Sequence, residues 1–203
     1  MTQNALSQQP QTPSVLQQTD SSLAVNAQVT NKQTDKAACA SHVEISTEKK
    51  PDRERRIFAS ILIPQPIEQV WQVITDYERL ADFVPSLTYS RLLPNSEGRI
   101  RLEQIGAQCF LRVRFCARVV LDMTEHFPHK VSFAMQEGDF KQFEGAWQLE
   151  PAEDPKSTRL SYDLSVKAPL AMPTALIEHH IRHNLIANML AIRERSLELA
   201  TQP

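Results

Sequence analysis

The sequence predicts an α+β domain built from an antiparallel sheet and one long C-terminal helix, and three observations predict it. Between Leu87 and Lys167, successive segments alternate apolar and polar residues with a period of two. Beyond Pro169 and Pro173 the apolar spacing changes to that of a helix and keeps it to about Ala200. Nearer the start, a strand-like run is stopped by Pro64 and Pro66 and followed by two short stretches of helical spacing.

Each element follows in order. Arg55–Ile63 reads as a strand, because Ile57, Phe58, Ile61, Leu62 and Ile63 crowd a run that the prolines close. Ile67–Thr75 reads as a helix, with Ile67, Val70, Trp71 and Ile74 on one side and Pro66 near the first turn. A second short helix is expected over 76–84, closed by Pro85. Leu87–Leu93 and Arg99–Ala107 then form a hairpin across Pro94-Asn95-Ser96-Glu97-Gly98.

The next strand is expected to run from Phe110 to Met123. Leu111, Val113, Phe115, Ala117, Val119, Leu121 and Met123 line one face, while Arg112, Arg114, Arg118 and Asp122 line the other. Strands over about 130–136, 140–150 and 159–167 complete a six-strand meander. In the last, Leu160, Tyr162, Leu164 and Val166 oppose Arg159, Ser161, Asp163 and Lys167. The long helix over 174–200 carries Ile177, Ile181, Leu185, Met189 and Ile192 as its core stripe.

Residues 1 to about 50 have a different texture, rich in Gln, Ser, Thr and Asn with almost no aromatics. Such a segment buries too little apolar area to offset its ordering entropy, so a disordered tail over 1–50 and a domain over 53–200 are expected. The 203 residues are 41% hydrophobic and 23% charged, with a formal net charge of -2. That balance argues against a DNA partner or a general membrane-surface binder. The N-terminus has neither a basic opening nor an apolar core of the secretory kind, and the first arginine is Arg53. A cytoplasmic location is expected. Cys39, Cys109 and Cys116 are odd in number and lack a CxxC spacing, which suits reduced thiols.

A single helix laid on a curved antiparallel sheet touches it along one line. Away from that line the apolar face is filled by side chains or encloses a cavity. Only 6% of this chain is Phe, Trp or Tyr, so few large side chains are on hand to fill it. An apolar pocket with a few polar groups is then the default site for a small ligand.

Particular residues strengthen the expectation. The stretch Val70-Trp71-Gln72-Val73-Ile74-Thr75-Asp76-Tyr77, continued by Glu78 to Pro85, resembles the signature of the polyketide cyclase/dehydrase and coenzyme-Q-binding START-like proteins: an apolar helix, then Asp-Tyr, then Phe-x-Pro. Glu137-Gly138-Asp139-Phe140-Lys141-Gln142-Phe143-Glu144-Gly145-Ala146-Trp147 is similar to a stretch common in cyanobacterial and plastid members. The resemblance spans about 53–200 and implies a helix-grip (START-like) fold, in which a curved sheet wraps the long helix. That fold is shared by lipid carriers, quinone binders, cyclases and ribosome-interacting toxins, so it implies no single function.

Catalytic signals are sparse. His179 and His183 stand four apart on a helix, a spacing that suits a metal, but no third ligand is near and Glu178 does not lie between them. His180, closer to the apolar side, is the candidate for a histidine at the cavity rim. Glu144 shares a face with Gln142 and Gln148, expected outward because Phe143 and Trp147 compete for the interior. No GxSxG motif or phosphate loop occurs, and the chain has four glycines. Arg112, Arg114 and Arg118, near Arg99 and Arg101, form a basic sheet face that serves as solvated surface, partnered by Glu103 and Asp122, or docks an anionic partner.

Three functions follow from the residues and the resemblance. The first is a carrier for an isoprenoid quinone or lipid, with no cofactor, no metal and no catalytic residue. Its expected lining is Phe83, Leu102, Val113, Phe115, Phe133, Trp147, Tyr162, Ile181 and Leu185. The second is a cyclase/dehydrase-type enzyme on an aromatic or polyketide-like substrate, for which His180 and Glu144 are the candidates. The third is a ribosome-interacting protein of the toxin branch, working through Arg112, Arg114 and Arg118. Transient membrane contact and ribosome contact stay open.

Overall fold

The computed structural model describes residues 42–94, 98–110, 113–170 and 173–201; the side chains of 107–110, 113–115 and 176–177 lie outside what it describes. Eight strands form one antiparallel sheet: β1 (Glu44–Lys49), β2 (Glu54–Ile63), β3 (Leu87–Leu93), β4 (Ile100–Phe110), β5 (Val113–His126), β6 (Lys130–Gly138), β7 (Gln142–Pro151) and β8 (Thr158–Lys167). Their spatial order is β1-β2-β8-β7-β6-β5-β4-β3. The strand before the meander, β2, therefore pairs with the meander's last strand, β8, while β1 and β3 form the edges. Helix α1 (Ile67–Thr75) follows β2, a 3-10 turn leads into the short α2 (Leu80–Phe83), and α3 (Thr174–Thr201) is the long C-terminal helix. The fold is the expected helix-grip α+β arrangement.

Register explains the core. In β2, Ile57, Ala59, Ile61 and Ile63 are at most 1% exposed. Ile57 pairs with Leu164, Ala59 with Tyr162 and Ile61 with Leu160, so the alternation of both strands falls on the same face. A side chain of this size contributes about 1.5–3 kcal/mol when fully buried, which pins the register against a one-residue slip. On α3, Leu185, Met189 and Ile192 are buried against this face. Gln69 on α1 donates to the carbonyl of Ser196 at 2.8 Å, and Arg55 on β2 pairs with Glu178 at 3.0 Å. These two contacts tie α3 to the rest of the fold near both of its ends.

Two differences from the sequence reading stand out. Glu44–Lys49 falls within the expected tail but forms β1, pairing from Glu44↔Ser60 to Lys49↔Arg55. The sheet edge of β2 supplies the backbone partners that the composition of this segment does not advertise. Residues 1–41 of that tail lie outside the described residues. The strand expected from Phe110 to Met123 instead begins at Val113, which pairs antiparallel with Phe110 of β4; Leu111 and Arg112 lie outside the described residues. Cys109 and Cys116 lie on two paired strands, β4 and β5, and Cys116 is an exposed free thiol.

Candidate functional site

Between α3 and the concave face of the sheet lies a cavity of about 220 Å³, partly open to solvent. Leu102, Phe133, Trp147, Tyr162, Ile181 and Leu185 all line it. Phe83 does not: it is half-buried at the end of α2, with the Arg195 guanidinium 6.0 Å from its ring centroid. The short α2 ends there, and its last side chain turns toward the C-terminal half of α3. The side chains of Val113 and Phe115 lie outside the described residues.

The sheet side of the cavity carries a continuous run of rings. Phe140 stacks on Phe143 at 5.4 Å, Phe143 meets Phe133 at 5.8 Å, Phe133 stacks on Tyr162 at 5.6 Å, and Tyr162 meets Trp147 at 4.3 Å. Gly145 makes this packing possible. A Cβ there would sit 2.8 Å from the Phe133 ring and closer still to the Asp163 carbonyl oxygen. Phe143, Gly145 and Trp147 share the inward face of β7, so Glu144 points out, exposed and accepting from Gln142 at 2.8 Å.

Among the described residues lining the cavity there is no Asp, Glu, Lys or Arg. The polar groups are neutral and clustered. His180, Asn184 and Asn188 follow one another at helical spacing on the cavity side of α3. Burial first, and then the neighbouring charges of His179 and His183, hold the His180 imidazole below its ordinary basicity. Asn188 Nδ2 donates to Ser86 Oγ at 2.8 Å. The carboxamide oxygens of Asn184 and Asn188 are buried with no hydrogen-bond partner in the protein.

Across the cavity, Gln104 donates to Ser90 Oγ at 3.3 Å, and Ser90 donates to the Tyr77 carbonyl at 2.6 Å. The phenol of Tyr77 donates to Glu125 Oε1 at 2.6 Å. Burial first, then that bond, push its ionisation far above the ordinary phenol range. The Tyr162 phenol is also pushed up, by burial alone. Both phenols are therefore uncharged at neutral pH.

Sequence reasoning placed His180 near the cavity but missed Asn184 and Asn188. The available signal was their shared spacing with His180, four residues each time. It was masked by the stronger apolar stripe of Ile181, Leu185 and Met189 beside it.

The expected basic face is neutralised where it is described. Arg118 pairs with Glu103 at 2.6 Å and Glu137 at 3.6 Å, and Arg101 pairs with Asp122 at 2.8 Å, with Arg99 at 3.8 Å from the same carboxylate. Arg112 and the side chain of Arg114 lie outside the described residues. His179 and His183 are exposed, and among the described residues no three His, Cys, Asp or Glu side chains are grouped to hold a metal ion. No helix among them is long and apolar enough to cross a membrane.

Comparison with known proteins matches residues 63–190 to the family described as polyketide cyclase / dehydrase and lipid transport. The chain is 28% identical to the ribosome association toxin RatA of Pseudomonas aeruginosa over 106 residues, covering 52% of this chain and 70% of the toxin. Its fold is similar to that of a START superfamily protein from Mycobacterium smegmatis, with a TM-score of 0.61 and 18% identity over 71% of this chain and 98% of that one. It is also similar to an aromatase/cyclase from a Streptomyces species, with a TM-score of 0.60 and 14% identity over 72% and 96% of the two chains.

Proposed function

The chain belongs to the polyketide cyclase / dehydrase and lipid transport family, and from that premise we propose that it is a carrier for a neutral hydrophobic small molecule, an isoprenoid quinone or a lipid, held in the cavity under α3. The observation that carries this reading is the lining: six Phe, Trp and Tyr rings and several aliphatic side chains around about 220 Å³, with no charged side chain among the described residues. Such a site gains affinity from apolar burial and orientation from a few polar groups. It has nothing to match an ionised ligand, whose desolvation would go uncompensated.

The reading includes no chemistry on the ligand. General acid–base catalysis needs a group that titrates near the working pH within reach of the substrate. Both phenols are held protonated, which leaves His180 as the one candidate among the described residues that line the cavity. The cyclase-type alternative rests on that imidazole. The ribosome alternative rests on the relation to RatA, and the carboxylates facing Arg101 and Arg118 weaken the basic face it requires.

The test is gentle native mass spectrometry of the full chain purified from its own host, followed by organic extraction. A stoichiometric quinone or lipid, lost from folded Trp147→Arg protein, supports the carrier. A chain that leaves its host empty and takes up no apolar molecule in vitro would overturn it.

A further inference from the structure

We infer that the cavity recognises the reduced, hydroquinone form of a quinone-type ring, through hydrogen bonds from its two hydroxyls to the carboxamide oxygens of Asn184 and Asn188. This rests on the carrier reading and sharpens it, since it assigns the polar end of the site and the oxidation state it prefers.

The argument starts from what is left over. Both asparagines line the cavity, and both carboxamide oxygens are buried without a partner in the protein. A buried acceptor without a donor is costly, so a native fold keeps one where something else is to supply the donor. The leftover atoms are acceptors, and the matching ligand groups are therefore donors. At Asn188, Nδ2 donates to Ser86 Oγ at 2.8 Å, which leaves Oδ1 as the unpartnered end of that amide.

Spacing narrows the class. Asn184 and Asn188 are separated by one turn of α3, and neighbouring side chains at that separation stand roughly 5–6 Å apart. The two oxygens of a para-hydroquinone stand across one ring, about the 5.4 Å of a helical turn. A flat ring in that position would lie between α3 and the stacked aromatic wall of Phe133, Phe143 and Tyr162. The oxidised quinone has the same outline but carries two acceptors. It would set oxygen against oxygen at both asparagines.

The test compares three probes of one skeleton by calorimetric titration of the full chain under argon: naphthohydroquinone kept reduced, naphthoquinone, and naphthalene. The expected result is hydroquinone binding at least roughly tenfold tighter than quinone, the worth of about one retained neutral hydrogen bond or more. Asn184→Leu and Asn188→Leu, each checked for a wild-type circular-dichroism spectrum, should remove most of that preference. Asn184→Gln, which keeps the carboxamide and displaces it by one methylene, should lose part of it. Quinone binding as tightly as hydroquinone, or a preference that survives both leucine variants, would overturn the inference while leaving the carrier intact. Failure of all three probes to bind, naphthalene included, would overturn both.

Discussion

Tyr77 and Glu125 are joined by a 2.6 Å hydrogen bond from the phenol to the carboxylate, although they stand 48 residues apart in the chain. Tyr77 is 5% exposed and lines the cavity, and its own carbonyl accepts from Ser90. The 3-10 turn after α1 is thereby fastened to β5 and to β3. Because Glu125 is exposed, it can be rehydrated when its donor is lost. Tyr77→Phe is expected to cost about 1 kcal/mol, and Tyr77→Ala about 3–5 kcal/mol through the added loss of packing. Urea denaturation of the two variants reads the difference directly. Equal costs would mean that the hydrogen bond, rather than the ring, holds the turn.

Gly145 and Gly98 are expected to respond very differently to alanine. At Gly145 a Cβ collides with the Asp163 backbone in the neighbouring strand and with the Phe133 ring. Gly145→Ala should therefore displace the β7–β8 pairing and destabilise by more than about 3 kcal/mol, the range of severe core disruption. At Gly98 nothing lies within 4 Å, and only the φ of +68° opposes a side chain. Gly98→Ala should cost about 1 kcal/mol. Thermal melting of both proteins checks the contrast.

The pH response of His180 has a definite sign. Its folded-state basicity is lowered, first by burial and then by His179 and His183. The unfolded chain, where a histidine titrates near about 6.5, takes up the proton first. Stability contributed by the neutral imidazole is complete above that value and declines as pH falls from it toward the lowered folded value. His180→Leu should flatten this part of the melting-temperature profile. An unchanged slope in the variant would assign the acid sensitivity to other groups.

Asn184→Leu should raise the stability of the ligand-free protein by about 1 kcal/mol, because it removes a buried acceptor that has no partner. The same substitution is expected to weaken ligand binding, the usual opposition between a poised site and a stable one. Chemical denaturation without added ligand measures the first effect. A loss of stability would show that the carboxamide is held by the protein after all.

Removing residues 1–41 should leave the melting temperature within a few degrees, since β1 begins at Glu44. Removing the chain to Arg53 should not. It takes away β1 and leaves the β2 edge unpaired, and it uncovers core residues against which Val43 and Ile45 pack. A lower melting temperature and concentration-dependent association are expected, the behaviour of an exposed hydrophobic edge. Light scattering alongside the melts separates the two effects.

Much of this was legible locally. Ile67–Thr75 and Leu87–Leu93 occur with the bounds that their spacing predicts. Leu160, Tyr162, Leu164 and Val166 are buried as the alternation of β8 requires. A period of 2 or 3.6 is written in neighbouring residues, so it survives without knowledge of the partner. Reading β4 and β5 was harder, because the alternation of the sequence runs on without a break between Phe110 and Val113, which belong to two paired strands.

The sequence by itself determined the order of the elements from β2 onward, the inward faces of β7 and β8, and the apolar stripe of α3. Tertiary structure alone decided the rest. Whether Glu44–Lys49 becomes a strand depends on the open edge of β2. Whether Asn184 and Asn188 face water or a cavity depends on how α3 is rotated over the aromatic wall. Pattern records what a residue prefers, but burial, pairing and orphaned hydrogen-bonding groups are set by residues brought close only when the chain has folded.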